Sequence, residues 1–394
     1  MTEKLIIYAF SLLMSMGVAF IVLPSIINIS YKKRLMDVPD RRKHHTVPVP
    51  RLGGICFMPI MLICTMLVNV VYAKITDNPL GLIEEKDVVP MMAFSVGCTL
   101  LYLIGIADDL VEVGYRQKFL AQIVAACMLP LAGIYLHTDE IFLHLLNLPL
   151  WVQYFITVFL VVYITNAINL IDGVDGLASG ITIMAVALYS VLFLRLSEDL
   201  LLCASAALMG ALLVFFVFNV FGGAHRRIRK LFMGDTGSLT LGYFISFVVL
   251  YMSTEFSKTH VLGFRGAMYA VMSPLVIPLL DIIRVMLARY RDGVGIFKPD
   301  RRHIHHKLIR TGLSTRWTMV TLLMLTFGFM LLNIILPRFM PGGYRMAVCN
   351  IVAWVIMHLS INYFIRKNEG KHPEKKPVFD YSKEDLEETE EIEE

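Results

Sequence analysis

The carboxylates and histidines that could do chemistry in this chain fall in four segments that are far apart in the sequence. Carboxylates at the edge of a bilayer are costly, so their gathering on one face indicates a functional site. A topology drawn from hydropathy alone puts all four segments on the same side of a membrane. The segments are Asp108-Asp109, the run from Asn166 to Asp175, Asp235, and the group His303, His305 and His306 with its neighbouring arginines.

The pair Asp108-Asp109 closes an apolar run. Adjacent helical residues point about 100° apart, so the two aspartates cannot do the same job. We expect one to face the interior of the protein and the other to meet a metal ion or a loop. Alone, the pair is a weak signal, because many acidic pairs at helix ends are simply solvated.

The run from Asn166 to Gly176 is more specific, because its polar residues recur at every third position. On a regular helix that spacing would spread them over about half of the circumference. Gly173 and Gly176 argue against a regular helix and predict a broken end where backbone approaches a ligand. Helix capping would explain one or two of the polar residues, but not all of Asn166, Asn169, Asp172 and Asp175.

The segment Phe232-Met-Gly-Asp-Thr-Gly-Ser238 opens another apolar run. A helix start offers unpaired backbone N–H groups and a positive dipole end, which suit an anion. Asp235 adds a hard oxygen ligand, so the segment supplies what a magnesium–diphosphate complex needs. A simple capping role for Asp235 or Ser238 is the alternative.

The segment from Lys298 to Lys307 holds three histidines among several cations. A zinc site is disfavoured because the neighbouring cations repel a metal and no cysteine is near. We therefore expect binding of phosphate and sugar hydroxyl groups. The first basic loop, with His44, His45 and Arg51, has a similar composition, which ordinary membrane topology explains equally well.

The elements that carry these segments are predicted to be membrane helices. The chain is 57% hydrophobic and 17% charged, against about 45–50% and about 25% in soluble domains. We predict an all-α, polytopic transmembrane bundle of about eleven spans, each long enough for ~30 Å of hydrocarbon. The spans lie near 5–29, 52–73, 88–107, 119–136, 150–168, 177–194, 200–219, 237–253, 267–288, 317–336 and 346–365.

The distribution of basic residues predicts the orientation. Loops on the side of the candidate site hold 27 Lys and Arg, and loops on the other side hold 8. The basic side is cytoplasmic by the positive-inside rule, so the N-terminus is outside and the C-terminus is cytoplasmic. We expect one integral-membrane catalytic domain, residues 1–365, and an acidic, disordered cytoplasmic tail, residues 366–394.

The ninth predicted span carries interruptions. Pro274 and Pro278 precede Asp281 and Arg284, which are three residues apart and can pair on one helix face. An ion pair within that helix, near its cytoplasmic end, is the expected structure.

Taken together and in this order, four motifs resemble those of the polyprenyl-phosphate N-acetylhexosamine-1-phosphate transferases, which are of the glycosyltransferase family 4 type. The motifs are Ile-Ala-Asp-Asp-Leu, Asn-Leu-Ile-Asp-Gly-Val-Asp-Gly, Phe-Met-Gly-Asp-Thr-Gly-Ser and His-Ile-His-His, within residues 37–310. The resemblance implies a multi-pass protein of the inner membrane with its site facing the cytoplasm. It also implies transfer of a sugar 1-phosphate from a UDP-sugar to a polyprenyl phosphate, with release of UMP and use of Mg²⁺, or alternatively Mn²⁺.

The resemblance also implies roles for individual residues. Asp108 and Asp109 match the pair assigned to lipid-phosphate activation and metal placement. Asn169 and Asp235 match positions that bind magnesium. Substrate binding is implied for His45, Asp172, Asp175, Asn219, Phe232, Arg302, His303, His305 and His306, with Phe232 beside the uracil.

The order of residues in the last motif indicates a branch of the family. Ile304 interrupts the histidines, and the pattern from Arg302 to His306 is similar to the branch that uses UDP-N-acetylglucosamine with undecaprenyl phosphate. A muramyl-pentapeptide or N-acetylfucosamine donor is the first alternative. An ion-coupled transporter is the second, although the acidic residues gather at one interface rather than at the midplane. We expect no nucleic-acid partner, and a homodimer is left open.

Overall fold

The computed structural model of the protein describes residues 2–37, 48–137, 148–223, 229–259, 267–293, 295, 302–340 and 343–371. These residues are almost entirely helical, as predicted. A short antiparallel ladder joins β1 (Met36–Asp37) to β2 (Val49–Pro50). The helices are α1 (Thr2–Lys33), α2 (Phe57–Thr76), α3 (Glu85–Val111), α4 (Tyr115–Leu131), α5 (Leu150–Ile171), α6 (Leu177–Leu196), α7 (Asp199–Phe221), α8 (Gly234–Thr259), α9 (Ala267–Met272), α10 (Val276–Arg291), α11 (Ile304–Arg310), α12 (Thr315–Ile335) and α13 (Gly343–Lys371).

Ten helical segments of the described chain are long and apolar enough to cross a membrane. The one remaining expected span, 119–136, is the fourth in chain order and corresponds to α4, which has only 17 residues. That is about 25 Å of helix at about 1.5 Å per residue, short of the ~30 Å hydrocarbon thickness. The helix ends just after Pro130, and residues 132–137 continue without helical structure. The N–H of His137 reaches Ser253 Oγ at 3.0 Å, so the chain still travels most of the length of α8.

Two other boundaries follow from the sequence. The segment with two prolines divides into α9, a 3₁₀ turn at Ser273–Leu275, and α10. Pro278 is tolerated because it lies in the first turn of α10, where its missing N–H has no helical partner. At the other end of the chain, α13 continues to Lys371, past the expected domain end at residue 365. Residues 372–394 of the expected tail lie outside the described residues.

Helix α8 is the central element of the bundle. Every side chain from Thr236 to Phe256 is buried, and α8 packs against α3 and α5. Small residues allow this close approach, as is usual between membrane helices. A Cβ at Gly105 of α3 would lie 2.5 Å from the Cα of Thr236, and one at Gly242 would lie 2.6 Å from the Cα of Thr165.

The up-and-down course of the helices gives the bundle two polar ends. The site end holds the C-termini of α3 and α5 and the N-termini of α4 and α8. The far end holds the N-terminus of α3, the connection between α6 and α7, and the C-terminal part of α8. Contacts between residues distant in sequence define both ends.

A buried hydrogen-bond network closes the far end. The hydroxyl of Tyr251 lies 2.9 Å from Asp87 Oδ1 and 2.8 Å from Glu198 Oε2, and both acids are at least 96% buried. A phenol has one proton, so the second contact needs a proton on one of the carboxyl groups. Lys86 Nζ lies 2.8 Å from Glu198 Oε1. The network joins α3, α8 and the α6–α7 connection.

We expect Tyr251→Phe to lower the melting temperature of the purified protein more than Tyr243→Phe does. Tyr243 is a matched control, because its buried hydroxyl gives one hydrogen bond to the carbonyl of Ala125, at 2.9 Å. Loss of the Tyr251 hydroxyl removes one hydrogen-bond partner from each of two buried carboxyl groups, at an extra cost of about 1–3 kcal/mol. Equal shifts of the two variants in thermal unfolding would contradict this assignment.

Candidate active site

Asp109 holds the N-terminus of α8 against the C-terminus of α3. Its Oδ1 accepts the N–H of Asp235 at 2.9 Å, and its Oδ2 accepts the N–H and hydroxyl of Thr236 at 3.0 and 2.6 Å. The first N–H groups of a helix have no partner within the helix, and the dipole there favours negative charge. Asp109, only 4% exposed, therefore acts as an N-cap contributed by another helix.

The backbone at this junction comes too close for side chains. Gly234, with φ of +74°, precedes Asp235. A Cβ at Gly234 would lie 2.1 Å from the carbonyl oxygen of Arg51 and 2.6 Å from both Asp109 oxygens. Arg51 in turn donates from Nε to the carbonyl of Asp109, at 2.9 Å. The glycine is required for this approach, and the approach sets the position of Asp235.

Asp108 has a different environment from Asp109. Its Oδ1 accepts the N–H of Val113 at 2.8 Å and lies 3.2 Å from Lys118 Nζ. Lys118 Nζ also lies 2.9 Å from Asp235 Oδ2. The ammonium group of α4 therefore lies between a carboxylate of α3 and a carboxylate of α8. Asp108 and Asp109 therefore have different partners, as expected for adjacent helical residues that point about 100° apart.

Lys118 is the residue of this group that sequence reasoning missed. It was counted among the basic residues that set membrane orientation. The available signal was its place directly before the predicted span 119–136, in the short loop that begins with the Asp108-Asp109 pair, at a bilayer edge where charge is costly.

Asn169, in the last turn of α5, joins the same group. Its Nδ2 lies 3.2 Å from Asp235 Oδ1 and 2.8 Å from Ser238 Oγ. The C-terminus of α5 is thereby fixed against the first turn of α8. A carboxylate and a carboxamide meet here, and a 180° rotation of the amide would turn its oxygen, a hard donor of the kind Mg²⁺ prefers, towards Asp235.

Helix α5 ends before the two glycines, as predicted, and hydrogen bonds at Gly176, whose φ is +77°, hold the loop that follows. The N–H of Gly176 donates to Asn219 Oδ1 at 2.5 Å, and Asn219 Nδ2 donates to the carbonyl of Leu231 at 2.8 Å. The oxygen and the nitrogen of the Asn219 amide thus each bond to one of the two loops and join them. Asp175 forms an ion pair with Lys230, whose ammonium lies 5.2 Å from the centre of the Phe232 ring.

Asp172 is the residue that directly follows α5. Removal from water raises its pKa well above the ordinary value, and the negative charges of Asp175, Asp235 and Asp109 raise it further. A carboxyl group with a raised pKa in a cleft is a candidate for binding or proton transfer.

The histidine motif joins the site through the loop after α5. The rings of His303 and His305 are parallel, with centroids 5.9 Å apart. A Cβ at Gly173 would lie 2.5 Å from His305 Nε2, so the ring lies directly on that glycine. The His306 ring is tilted by 49° to that of His305, with the ring centroids 4.2 Å apart. Arg302 is directed to Asp292, with Nη1 at 2.5 Å from Oδ2.

The structure therefore brings most of the predicted residues together at one end. Asp108, Asp109, Asn169 and Asp235 are joined directly or through Lys118, and the two loops around Asn219 border them. The Asp281–Arg284 pair in α10 is confirmed at 2.7 Å, and it has further partners described below. His45 lies outside the described residues.

The sequence of this chain is similar to those of known proteins. The model of the Glycosyl transferase family 4 matches residues 91–253. The "Probable undecaprenyl-phosphate N-acetylglucosaminyl 1-phosphate transferase" of Bacillus subtilis is 30% identical over 338 residues, covering 85% of this chain and 86% of that protein. The "Undecaprenyl-phosphate alpha-N-acetylglucosaminyl 1-phosphate transferase" of Escherichia coli K12 is 27% identical over 362 residues, covering 88% and 92%.

This chain belongs to the glycosyl transferase family 4, in the branch of the undecaprenyl-phosphate N-acetylglucosaminyl 1-phosphate transferases. It is a phosphoglycosyltransferase. The match with the relatives covers nearly their whole length, so it includes the helices that carry all four motifs.

The different environments of the two aspartates predict different effects of the same substitution. Asp109→Asn should lower the free energy of unfolding by roughly 1–3 kcal/mol, because its NH₂ group would face helix N–H donors. Asp108→Asn keeps an acceptor for Val113, so its effect on stability should be below about 1 kcal/mol. Both should lose activity. Thermal unfolding of the two purified variants measures the contrast, and equal destabilisation would refute it.

The raised pKa of Asp172 predicts a pH-dependent effect on stability. The folded state binds this proton more tightly than the unfolded state, so stability falls as pH rises above about 4. Asp172→Asn cannot ionise, so its melting temperature should exceed that of the wild type at pH 8, with the difference vanishing towards pH 4.

The measurement needs a chelator, because a divalent cation would neutralise the carboxylate. Asp175→Asn is the matched control and should be destabilised at pH 8, since it loses the ion pair with Lys230. A gain for Asp172→Asn that is independent of pH would refute the assignment.

Proposed function

We propose that the protein transfers N-acetylglucosamine 1-phosphate from UDP-N-acetylglucosamine to undecaprenyl phosphate, releases UMP, and so starts a lipid-linked cell-envelope polysaccharide. The observation that carries this proposal is the meeting of Asp108 and Asp235 at Lys118, with Asn169 against Asp235, at one end of a membrane bundle. The names of the relatives support the same reaction. They do not favour the other amino sugars or a transporter.

The position of the site within the cell follows from charge. The 27 Lys and Arg of the site end against 8 of the far end favour a cytoplasmic site end. UDP-sugars are water-soluble, so a site that faces the cytoplasm from the inner membrane is accessible to the donor. The prenyl chain of the acceptor stays in hydrocarbon between helices, and its phosphate lies at the membrane edge where the donor arrives.

The residues of the site end fit Mg²⁺. A cation, the ammonium of Lys118, already lies within 3.2 Å of Asp108 and 2.9 Å of Asp235. The described residues contain no cluster of three or more His, Cys, Asp or Glu placed to hold a metal, and Mg²⁺ is usually held by one or two carboxylates together with substrate phosphates. We assign Asp235 and Asn169 as its protein ligands. When bound there, the ion neutralises charge on the diphosphate and polarises its oxygens.

The residues around the acceptor phosphate act mainly by positioning it. A phosphate monoester has a second pKa of about 6, so most of the lipid phosphate is dianionic at pH 7. A general base contributes about 10²–10⁴-fold when a proton must leave, but here little proton remains. Asp109 is engaged with the N-terminus of α8, so we assign orientation of the acceptor and removal of residual protons to Asp108. Lys118 supplies positive charge to the transferring phosphate.

Release of UMP by the purified protein tests the proposal. We expect UMP only when UDP-N-acetylglucosamine, undecaprenyl phosphate and Mg²⁺ are all present, and we expect a chelator to stop the reaction. Asp235→Asn should lower turnover by about 10²-fold or more, because it weakens the clamp on the diphosphate.

Other UDP-N-acetylamino sugars, offered in turn to the same preparation, are the matched controls. Near-normal turnover of Asp235→Asn would refute the metal assignment. Uptake of a solute into proteoliposomes without UMP release would refute the reaction itself.

A further inference from the structure

Asp281 is a buried carboxylate outside the group that holds the diphosphate. It lies in α10 and is 1% exposed. Its Oδ1 accepts Arg284 Nη2 at 2.7 Å, and its Oδ2 lies 2.9 Å from His303 Nδ1. The N–H of Ile304 lies 3.1 Å from both oxygens. Such a saturated set of donors fits an ionised carboxylate.

The Asp281–Arg284 pair makes hydrogen bonds to three successive residues of the histidine motif, which are Arg302, His303 and Ile304. Arg284 Nη2 donates to the carbonyl oxygen of Arg302. Asp281 binds the side chain of His303 and the N–H of Ile304, the first residue of α11. The start of the motif is therefore attached to a transmembrane helix by contacts to its backbone and to one of its rings.

The contact with Asp281 determines which nitrogen of His303 carries the proton. An ionised carboxylate only accepts hydrogen bonds, so Nδ1 must be the donor. Nε2 is then an acceptor when the ring is neutral and a donor when the ring is charged. An isolated imidazole has no such constraint. The interaction fixes both the tautomer and the rotation of the ring.

His303 is in turn connected to the loop after α5, which contains Asp172 and Asp175. Its ring is parallel to that of His305 within 3°, and His305 lies on Gly173, next to Asp172. A rotation of His303 would remove this stacking. The path from Asp281 therefore ends at the loop that borders Asp235.

Stability alone is a weak reason for this arrangement. A buried ion pair seldom stabilises a protein more than apolar residues of similar volume would, because desolvation offsets the attraction. In an apolar span that cost is high. A requirement to keep Nδ1 of His303 protonated and to present Nε2 explains why a buried carboxylate stands at this position.

We propose that Asp281 is a positioning residue for the transfer reaction: it acts through His303, holding Nδ1 protonated so that Nε2 accepts a hydrogen bond from a hydroxyl group of the nucleotide sugar. The inference rests on the proposed function. Asp281 itself does not touch the substrate, and Arg284 maintains its charge and completes the attachment of the motif.

A double-mutant cycle in the full-length enzyme tests the coupling. Asp281→Asn should lower kcat for the UDP-sugar about 10–100-fold, as expected when an orienting partner is lost. In a His303→Ala background the same change should lower kcat less than about twofold, because the residue through which it acts is gone. Equal losses in both backgrounds would mean a merely structural role and would overturn the proposal.

Asp87→Asn is the matched control for folding. Asp87 is a similarly buried aspartate, 3% exposed, in the hydrogen-bond network of the far end. It should shift the melting temperature as Asp281→Asn does while leaving kcat unchanged. If Asp281→Asn does not fold, Asp281→Glu serves in the same cycle, because it keeps the carboxylate and displaces it by one methylene.

The tautomer of His303 provides a readout that does not depend on activity. Nitrogen-15 NMR of the histidine rings should identify one ring with a protonated Nδ1, absent in His303→Ala and lost in Asp281→Asn. Its absence in the wild type would overturn the inference. An enzyme with the expected tautomer but without UMP release would instead contradict the proposed function.

Discussion

The attachment of the α8 N-terminus to Asp109 is the interaction on which the site depends. Helix α8 is buried from Thr236 to Phe256, and the N–H groups of its first turn have no partner within the helix, so they need partners from the rest of the protein. The carboxylate of Asp109 supplies them from the end of α3. Because Asp235 is the second residue of α8, the same contact fixes its position relative to Asp108. Close packing at Gly105 and Gly234 keeps the two helices at this separation.

Much of the fold and of the site could be predicted because membrane helices restrict the topology. Once the spans are found, the number of crossings between two segments determines whether they lie on the same side of the membrane, and this predicts that Asp108, Asn169 and Asp235 lie at one end of the bundle. The crossing at α4 was predicted from its apolar composition, but its helix is short because Pro130 and Gly133 stand near its end. Composition does not report where a helix stops within a span.

Tertiary hydrogen bonds were the part that sequence could not supply. The spacing of Asp281 and Arg284 predicted their pair, but three residues of a distant loop complete it, and spacing says nothing of that loop. Asn219 was assigned to substrate by resemblance, while its amide is used by two backbone groups. Lys118 was interpreted as an orientation signal because a lysine at a membrane edge is common. Only its distances to two carboxylates distinguish it from the others.

Buried carboxylates alone do not identify the active end, because both ends of the bundle have them. At the far end, Tyr251 lies between Asp87 and Glu198, and its rigid ring belongs to the packed core. A ligand could replace that hydroxyl only by moving α8. At the site end, the group between Asp108 and Asp235 is the ammonium of Lys118, on a flexible chain of four methylenes. Under the proposed function, a metal–diphosphate complex would take its place without disturbing a helix, because Asp109 holds α8 independently. The separation of the structural carboxylate of Asp109 from the carboxylates of Asp108 and Asp235 would then let this end exchange ligands while the bundle stays intact.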